Sequence, residues 1–199
     1  ILDIGCGRAN IISFLQKKYK FKQRPIGIDI IKHKDKKSNI TYYNKDAIQY
    51  LKDSNLNFDL ILIKQTIHFF NKKDIKQLLN LAKNSLCQHG KIIILTLKIK
   101  KNQIPCFKKM KNRLVTSLNK DKSIVKLIKN NFIKYKINKF NYKVSIPKRS
   151  YVKMIKERYI SCLLELSEKE IKDGILEIQS KFKNKIHFND ILECIIFKN

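Results

Sequence analysis

Residues 1–10 read ILDIGCGRAN, an apolar run typical of a strand followed by two glycines, Gly5 and Gly7, one residue apart. Residues 12–19 then carry apolar side chains at helical spacing. A glycine turn between a strand and a helix lets the backbone approach a ligand at the helix N-terminus. The opening of the chain therefore predicts a ligand-binding turn.

Three carboxylates narrow the class of ligand. A dinucleotide fingerprint would have a third glycine at position 10, where this chain has Asn10, and Asp3 would repel a pyrophosphate but attract an amine. Asp29 ends the second predicted strand about 20 residues after Gly7, the position from which a carboxylate accepts hydrogen bonds from ribose hydroxyls. Asp46 suits the amino group of adenine, or alternatively caps the following helix. Adenine, ribose and an amino-acid cation together describe S-adenosylmethionine.

The order of strands and helices predicts an α/β fold. Apolar runs predict seven strands, at residues 1–4, 25–30, 40–43, 58–63, 90–97, about 135–146 and 191–197. Helical patterns lie between them, one of them with Ile75, Leu78, Leu79, Ala82 and Leu86 on a single face. Ser167 and Glu170 have the spacing of a capping box that begins a late helix. Such alternation predicts a doubly wound, mainly parallel sheet within one domain over residues 1–199, with helical insertions near 103–130 and 148–184.

The net charge of +28 raises the possibility of a nucleic-acid partner. Only five of the 44 basic residues are arginine, and lysine, isoleucine and asparagine are abundant together, as in an AT-rich coding sequence. We therefore expect weak, non-specific nucleic-acid binding from the charge, without a dedicated RNA site.

The five cysteines occur singly and in odd number, a pattern that predicts neither a disulfide framework nor a zinc site. We expect a reducing, cytoplasmic setting and no metal. No apolar run approaches the roughly 20 residues of a membrane span. Because the sequence begins inside a predicted strand, we expect its natural N-terminus to be truncated. The oligomeric state is not predicted.

Several motifs resemble those of the class I S-adenosylmethionine-dependent methyltransferases. They are LDIGCG as the first motif, GIDI at the second strand, KDA on the adenine side, FDLILIKQTIHFF at the fourth strand and GKIIILTL at the fifth. The loop after the fourth strand and the segment ERYISCLLELSEKEIKDGI are most similar to the small-molecule branch around trans-aconitate and ubiquinone-biosynthesis methyltransferases. This resemblance implies a Rossmann-like sheet of seven strands in the order 3-2-1-4-5-7-6, with the last strand antiparallel.

The resemblance also implies roles for individual residues. Asp3, Gly5 and Gly7 would hold the methionine moiety, Asp29 the ribose and Asp46 the adenine, while Lys64 and Gln65 would line the cofactor pocket. His68 would lie beside Phe69 near the acceptor, as a base or, as we expect, an orienting residue. Apart from the resemblance, the side chains of Tyr151 and Arg158 suit an anionic substrate, and a place on a helix surface explains them equally well.

The predicted function is methyl transfer from S-adenosylmethionine to a small, anionic metabolite. The exit of the fourth strand reads KQTI, and it lacks both the Asn/Asp-Pro-Pro-aromatic signature of amino-methylation and a cysteine for attack on a pyrimidine. Two alternatives remain: an RNA methyltransferase that uses the basic surface, and a cofactor-binding module without activity.

Overall fold

The computed structural model describes residues 1–33, 37–97, 103–130 and 134–198. Its strands are β1 (Leu2–Ile4), β2 (Ile26–Ile28), β3 (Thr41–Tyr43), β4 (Phe58–Lys64), β5 (Leu86–Leu97), β6 (Tyr135–Pro147) and β7 (Lys185–Lys198). Its helices are α1 (Asn10–Tyr19), α2 (Ala47–Asp53), α3 (Lys72–Asn84), α4 (Lys108–Asn130), α5 (Lys148–Lys156) and α6 (Glu168–Lys181). Short 3₁₀ turns occupy Ile67–Phe69 and Ser161–Leu163.

The strands form one seven-stranded sheet in the order β3-β2-β1-β4-β5-β7-β6, with the last strand antiparallel. Strands β1 to β5 pair in parallel, and Asp3 lies level with Gly27 of β2 and Leu62 of β4. This confirms the predicted fold class and strand order. Because β1 lies at the centre of the parallel strands, the glycine turn that follows it opens at their carboxyl edge.

The central strands are buried because helices cover apolar side chains on both faces of a parallel sheet. Leu2, Ile4, Ile61 and Ile63 are fully buried. Helix α3 contributes the predicted apolar face, with Ile75, Leu78, Leu79 and Ala82 inaccessible to solvent. The rigid core of the parallel strands therefore lies directly beneath the residues predicted to bind the cofactor.

Strand β5 begins earlier than predicted. We expected a strand from Gly90 and placed Leu86 on the preceding helix, but α3 ends at Asn84 and Leu86 already pairs with Phe58 of β4. The pairing shifts register between Phe58 and Leu60, and a Cβ on Gly90 would lie 2.7 Å from the Phe58 carbonyl oxygen. The polar residues before Gly90 hid this irregular first part of the strand from a pattern of apolar residues.

Two compact units make up the chain. The first comprises residues 1–96, 124–138 and 193–199, and the second residues 97–123 and 139–192. The second unit has its own apolar cluster, in which Phe107, Met110, Tyr151, Leu163 and Ile178 are buried. The predicted helix-rich stretches contain α4, α5 and α6. The assignment of residues 1–199 to one domain stays a prediction.

The predicted capping box is confirmed at the start of α6. The Ser167 hydroxyl accepts a hydrogen bond from the Glu170 amide, and the Glu170 carboxylate accepts one from the Ser167 amide. In the ranges that the structure covers, no helix combines the length and the apolarity that a membrane crossing requires.

Candidate functional site

The turn after β1 is bound to the end of β2. The amides of Gly5 and Cys6 both donate to the Ile28 carbonyl oxygen, at 2.9 and 3.1 Å. Gly5 has a φ of +67°, and a Cβ there would lie 2.2 Å from Cγ2 of Thr66, in the loop after β4. The Thr66 hydroxyl lies 3.3 Å from the Gly5 carbonyl oxygen and 3.0 Å from that of Lys64. Gly5 is therefore required both by its backbone conformation and by close packing.

Gly7 fulfils a different requirement from Gly5. Its φ is +54°, but a Cβ there would meet no atom within 4 Å. Its amide donates to Oδ2 of Asp29 at 2.8 Å. The open space beside Gly7 is therefore available to a ligand, and the backbone that borders it is fixed by a carboxylate.

The Asp29 carboxylate is held by backbone amides on both oxygens. Oδ2 accepts from Gly7, and Oδ1 accepts from the Ile31 amide at 2.8 Å. The Asn44 side chain donates to the carbonyls of Asp29 and Ile30, both at 2.9 Å, which fixes the loop after β2. Each carboxylate oxygen has a second lone pair, so this oriented group can still accept two hydroxyl hydrogens.

Asp3 is a buried carboxyl group in the middle of β1. Its side chain is 3% exposed. Burial is the main reason why the pKa of Asp3 is raised to about 7. The positive charge of Lys64 acts in the opposite direction, and the negative charge of Asp29 raises the pKa as well. A cation bound beside Asp3 would favour the ionised form, because it would compensate the lost hydration of the carboxylate. The site therefore has a carboxyl group whose ionisation a bound cation would promote.

Asp46 forms the helix cap that was the alternative prediction. Its Oδ1 accepts from the Gln49 amide at 2.9 Å at the start of α2, and the residue is exposed. The contact with adenine stays a prediction. It would have to use the carboxylate oxygen that does not cap the helix.

Lys64 and Gln65 lie at the end of β4 as predicted, and both are half-buried. The Lys64 ammonium lies 3.5 Å from Oε1 of Gln65. Gln65 has a φ of +52°, and its amide donates to the Leu95 carbonyl of β5 at 2.8 Å. This left-handed residue turns the chain out of the sheet toward the Thr66 contact with Gly5.

His68 lies in the 3₁₀ turn that follows, two residues after Thr66. Its ring centroid is 4.2 Å from that of Phe69, and Phe69 is 64% exposed. The Nε2 atom of His68 is buried and forms no hydrogen bond with a described residue. Burial lowers the pKa of His68, so the imidazole is neutral at neutral pH. A buried, unpaired ring nitrogen is costly unless something binds to it.

Tyr151 and Arg158 belong to the second unit, and both side chains form hydrogen bonds within it. Tyr151 is fully buried, and its hydroxyl donates to the Pro105 carbonyl at 2.6 Å and lies 2.9 Å from the Tyr159 hydroxyl. Arg158 donates to the carbonyls of Leu163 and Leu166 and forms an ion pair of 2.9 Å with Glu168. Their predicted binding of an anionic substrate stays a prediction.

Sequence reasoning missed three residues that shape this site. Thr66 packs under Gly5, and Asn44 fixes the loop after β2. Ile30 follows Asp29 and is 72% exposed, an apolar surface beside the carboxylate that was predicted to bind ribose. The sequence contains no signal for this exposure, because Ile30 continues the apolar pattern of the predicted second strand. No group of three potential metal ligands occurs among the residues with described positions.

Comparison with known proteins agrees with this geometry. Residues 1–90 match the model of a methyltransferase domain. The structure resembles an S-adenosylmethionine-dependent methyltransferase from Archaeoglobus fulgidus with a TM-score of 0.59 and 20% identity, over 100% of this chain and 85% of that one. The fold is that of the class I methyltransferases. The domain match and this methyltransferase fold together support an S-adenosylmethionine-dependent methyltransferase.

Two further methyltransferase structures cover this chain completely. A plantazolicin methyltransferase, solved with a triazolic desmethylPZN analogue and S-adenosylhomocysteine, has a TM-score of 0.53 and 16% identity, with 76% of its chain covered. Phosphoethanolamine N-methyltransferase 2 from Haemonchus contortus has a TM-score of 0.51 and 17% identity, with 48% of its chain covered. The comparison with curated sequences gives no match.

Proposed function

We propose that this chain belongs to the small-molecule branch around trans-aconitate and ubiquinone-biosynthesis methyltransferases, and that it transfers the methyl group of S-adenosylmethionine to a small, anionic metabolite. The observation that carries the proposal is the hydrogen bond from the Gly7 amide, which borders open space, to the Asp29 carboxylate. The buried carboxyl group of Asp3 lies on β1, just before this glycine turn. The methyltransferase-domain match over residues 1–90 covers all three.

The chemistry of these groups fits the parts of the cofactor. Asp29 offers two fixed acceptors for the ribose hydroxyls, and the exposed Ile30 offers apolar contact to adenine. Asp3 offers a carboxylate to the amino group of the methionine moiety, and the space beside Gly7 would be filled by any larger side chain. Bound S-adenosylmethionine supplies an electrophilic methyl group on a sulfonium.

His68 is proposed to orient the acceptor. Its buried Nε2, which forms no hydrogen bond within the described part of the chain, can accept one from an acceptor hydroxyl or amine. The lowered pKa of His68 keeps the ring neutral for this task. Phe69, stacked against it and largely exposed, offers an apolar contact. Alignment of acceptor and methyl group can supply much of the rate enhancement, so a base is not required.

Charge supports an anionic acceptor. The net charge of +28 attracts anions over long distances, and Lys64 adds a half-buried cation at the end of β4. One neighbour of similar fold was solved with phosphomonomethylethanolamine, a small molecule with a phosphate group. We retain Tyr151 and Arg158 as proposed substrate contacts, although each would have to exchange a structural hydrogen bond for a substrate contact.

The acceptor class can be tested directly with S-adenosylmethionine labelled on its methyl group. The protein would be incubated with carboxylate and phosphate metabolites together with total RNA. The labelled products would then be separated by size into a small-molecule fraction and an RNA fraction. Label in the small-molecule fraction is expected. Label in RNA would establish the RNA-methyltransferase alternative, and cofactor binding without label in either fraction would favour the non-catalytic module.

The role of His68 can be separated from cofactor binding by one substitution. His68→Ala should leave the affinity for S-adenosylmethionine within about threefold, because the nucleoside contacts lie elsewhere. A lost orienting contact should raise KM and reduce kcat by less than a hundredfold, whereas loss of a base costs about 10² to 10⁴-fold. His68→Gln, which retains an acceptor and a donor, should recover part of the KM. Unchanged turnover in His68→Ala would remove His68 from the site.

A further inference from the structure

Strand β6 ends the sheet and leaves one backbone edge open. The strand order places it beside β7, with no further strand beyond it. Residues 139–143 of β6, here called the β6 edge, are all exposed, and they belong to the second unit. In the ranges that the structure describes, no turn or loop forms a backbone hydrogen bond with this segment. Because an edge strand has unpaired N–H and C=O groups along one side, it can pair with a strand of another chain.

The two faces of the β6 edge differ in chemistry. Side chains alternate along a strand, so Lys139 and Lys143 lie on one face, and Phe140 and Tyr142 lie on the other. Phe140 is 57% exposed and Tyr142 is 60% exposed. Lysines alone would be explained as protection against unwanted pairing, but exposed rings add the apolar surface that such protection avoids. The β6 edge therefore offers positive charge on one face and apolar surface on the other.

This separation of charge and rings argues against two kinds of partner. A single-stranded nucleic acid needs rings and positive charge on a shared surface, and here they lie on opposite faces. A second copy paired antiparallel about Asn141 would place Lys139 opposite Lys143, and like charges directly opposite one another destabilise a strand pair. No acidic residue occurs between Asp121 and Glu157, so no register of β6 with β6 offers a carboxylate to these lysines. The partner that fits is another protein with acidic residues.

We propose that the β6 edge binds an extended peptide segment of another protein, in which acidic and apolar residues alternate. The peptide adds a strand to the sheet, with main-chain hydrogen bonds supplying affinity and alternate side chains supplying specificity. Its acidic side chains lie beside Lys139 and Lys143, and its apolar side chains lie beside Phe140 and Tyr142, because paired side chains of neighbouring strands share a face. This inference does not depend on the proposed methyl transfer.

The alternating pattern can be tested by fluorescence anisotropy with a labelled peptide in which glutamate and valine alternate over about seven residues, a usual strand length. A control peptide has the same residues in two blocks, all glutamates before all valines. It carries the same charge but cannot place charge and apolar surface on separate faces. The alternating peptide should bind at least tenfold more tightly than the block peptide. Equal affinities would assign binding to the diffuse positive charge and overturn the proposal.

Methylation of the peptide amides tests the main-chain pairing. Successive residues of a strand direct their N–H groups to opposite sides, so only one set of alternate amides can face β6. One peptide is methylated on its glutamate amides and another on its valine amides. One of the two should lose affinity at least tenfold, while the other should stay within about threefold of the unmethylated peptide. Equal effects of the two methylations would contradict pairing along an edge.

A charge exchange tests the assignment of the acidic side chains to the lysines. Lys139→Glu/Lys143→Glu should weaken binding of the glutamate–valine peptide at least tenfold. The same variant should bind an alternating lysine–valine peptide at least tenfold more tightly than the wild type does, which would also show that it is folded. Lys17→Glu/Lys18→Glu is a matched control with the same change of net charge on exposed residues of α1, and it should alter affinity less than threefold. Equal losses in both variants would contradict a local site.

The rings are tested by Phe140→Ala/Tyr142→Ala, which should weaken the alternating peptide at least fivefold, whereas Phe140→Tyr/Tyr142→Phe should retain wild-type binding. A wild-type dimer in sedimentation that Phe140→Ala/Tyr142→Ala dissociates would instead identify the β6 edge as an interface between copies. Displacement of the peptide by oligouridylate, with an equal loss of oligouridylate affinity in Phe140→Ala/Tyr142→Ala, would identify nucleic acid as the partner. Either result would overturn the proposal.

Discussion

At the scale of one residue, burial controls whether the carboxyl group of Asp3 is charged. Its pKa is raised to about 7 mainly because the carboxyl group is buried, and Asp29 adds to the effect. The unbound protein therefore holds a proton on Asp3 that the unfolded chain has already released above about pH 4. Folding and cofactor binding should both depend on this proton, in opposite directions.

The free energy of unfolding should fall as pH rises from about 4 to about 7. The folded state binds one more proton than the unfolded state in this window, so the slope from Asp3 reaches about 1.4 kcal/mol per pH unit. Asp3→Asn should remove the Asp3 contribution to this slope in denaturant titrations. Burial also raises the pKa of Asp121, to about 6. Asp121 therefore contributes a similar pH dependence of stability, and this contribution should persist in Asp3→Asn. Affinity for S-adenosylmethionine should rise from pH 6 to pH 8 in the wild type and stay flat in Asp3→Asn.

The two glycines of the first turn should respond differently to the same substitution. Gly5→Ala places a Cβ against the stiff Thr66 side chain at a positive φ, so it should reduce the free energy of unfolding by about 2 kcal/mol or more. Gly7→Ala meets open space and should cost only about 1 kcal/mol, from its positive φ. Because that space is the proposed cofactor site, Gly7→Ala should nevertheless weaken S-adenosylmethionine binding at least tenfold. If Gly7→Ala reduced the free energy of binding no more than it reduced the free energy of unfolding, the result would argue against a ligand there.

Helix α6 illustrates at the scale of an element how packing overrides local propensity. Gly174 lies in the middle of this helix, where alanine would normally be favoured by about 1 kcal/mol. A Cβ at Gly174, however, would lie 2.5 Å from Cδ2 of Phe107, which is 1% exposed. The glycine therefore lets an aromatic ring pack directly against the helix backbone.

Gly174→Ala should consequently destabilise the protein by about 1 to 3 kcal/mol, the usual cost of overpacking a core. Leu176→Ala on the exposed face of the same helix should change stability by less than about 0.5 kcal/mol, since Leu176 is 65% exposed. Chemical denaturation followed by circular dichroism measures both. A stabilised Gly174→Ala variant would show that Phe107 can move away.

At the scale of the whole molecule, the sequence predicted the elements that have a strong periodic pattern of apolar residues. The buried parallel strands follow from the apolar runs, and the structure has them there. Asp29 directly follows β2 as its position in the sequence predicts, whereas Asp3 is the middle residue of β1. The early start of β5 was missed because Gly90 and the polar residues before it break the apolar pattern. The contact of Thr66 with Gly5 joins residues far apart in sequence, so no local signal could show it. The structural hydrogen bonds of Arg158 likewise depend on how the second unit folds around it.

The charge of the whole chain acts beyond any single contact. A net charge of +28 predicts attraction of anions whatever its origin, and salt should weaken that attraction. The amino-acid composition of the chain by itself predicted weak, non-specific binding of nucleic acid.

The central claim is that the glycine turn and its carboxylates form an S-adenosylmethionine site, and calorimetric titration tests it most directly. S-adenosylhomocysteine and S-adenosylmethionine should each bind one site per chain, and Asp29→Ala should weaken both at least tenfold, because the ribose hydroxyls lose a charged acceptor worth about 1.5 to 3 kcal/mol. Asp173→Ala, which removes an exposed carboxylate from α6, should bind like the wild type. Binding of NAD with no response to either sulfur compound, or equal affinities in Asp29→Ala and the wild type, would contradict the account.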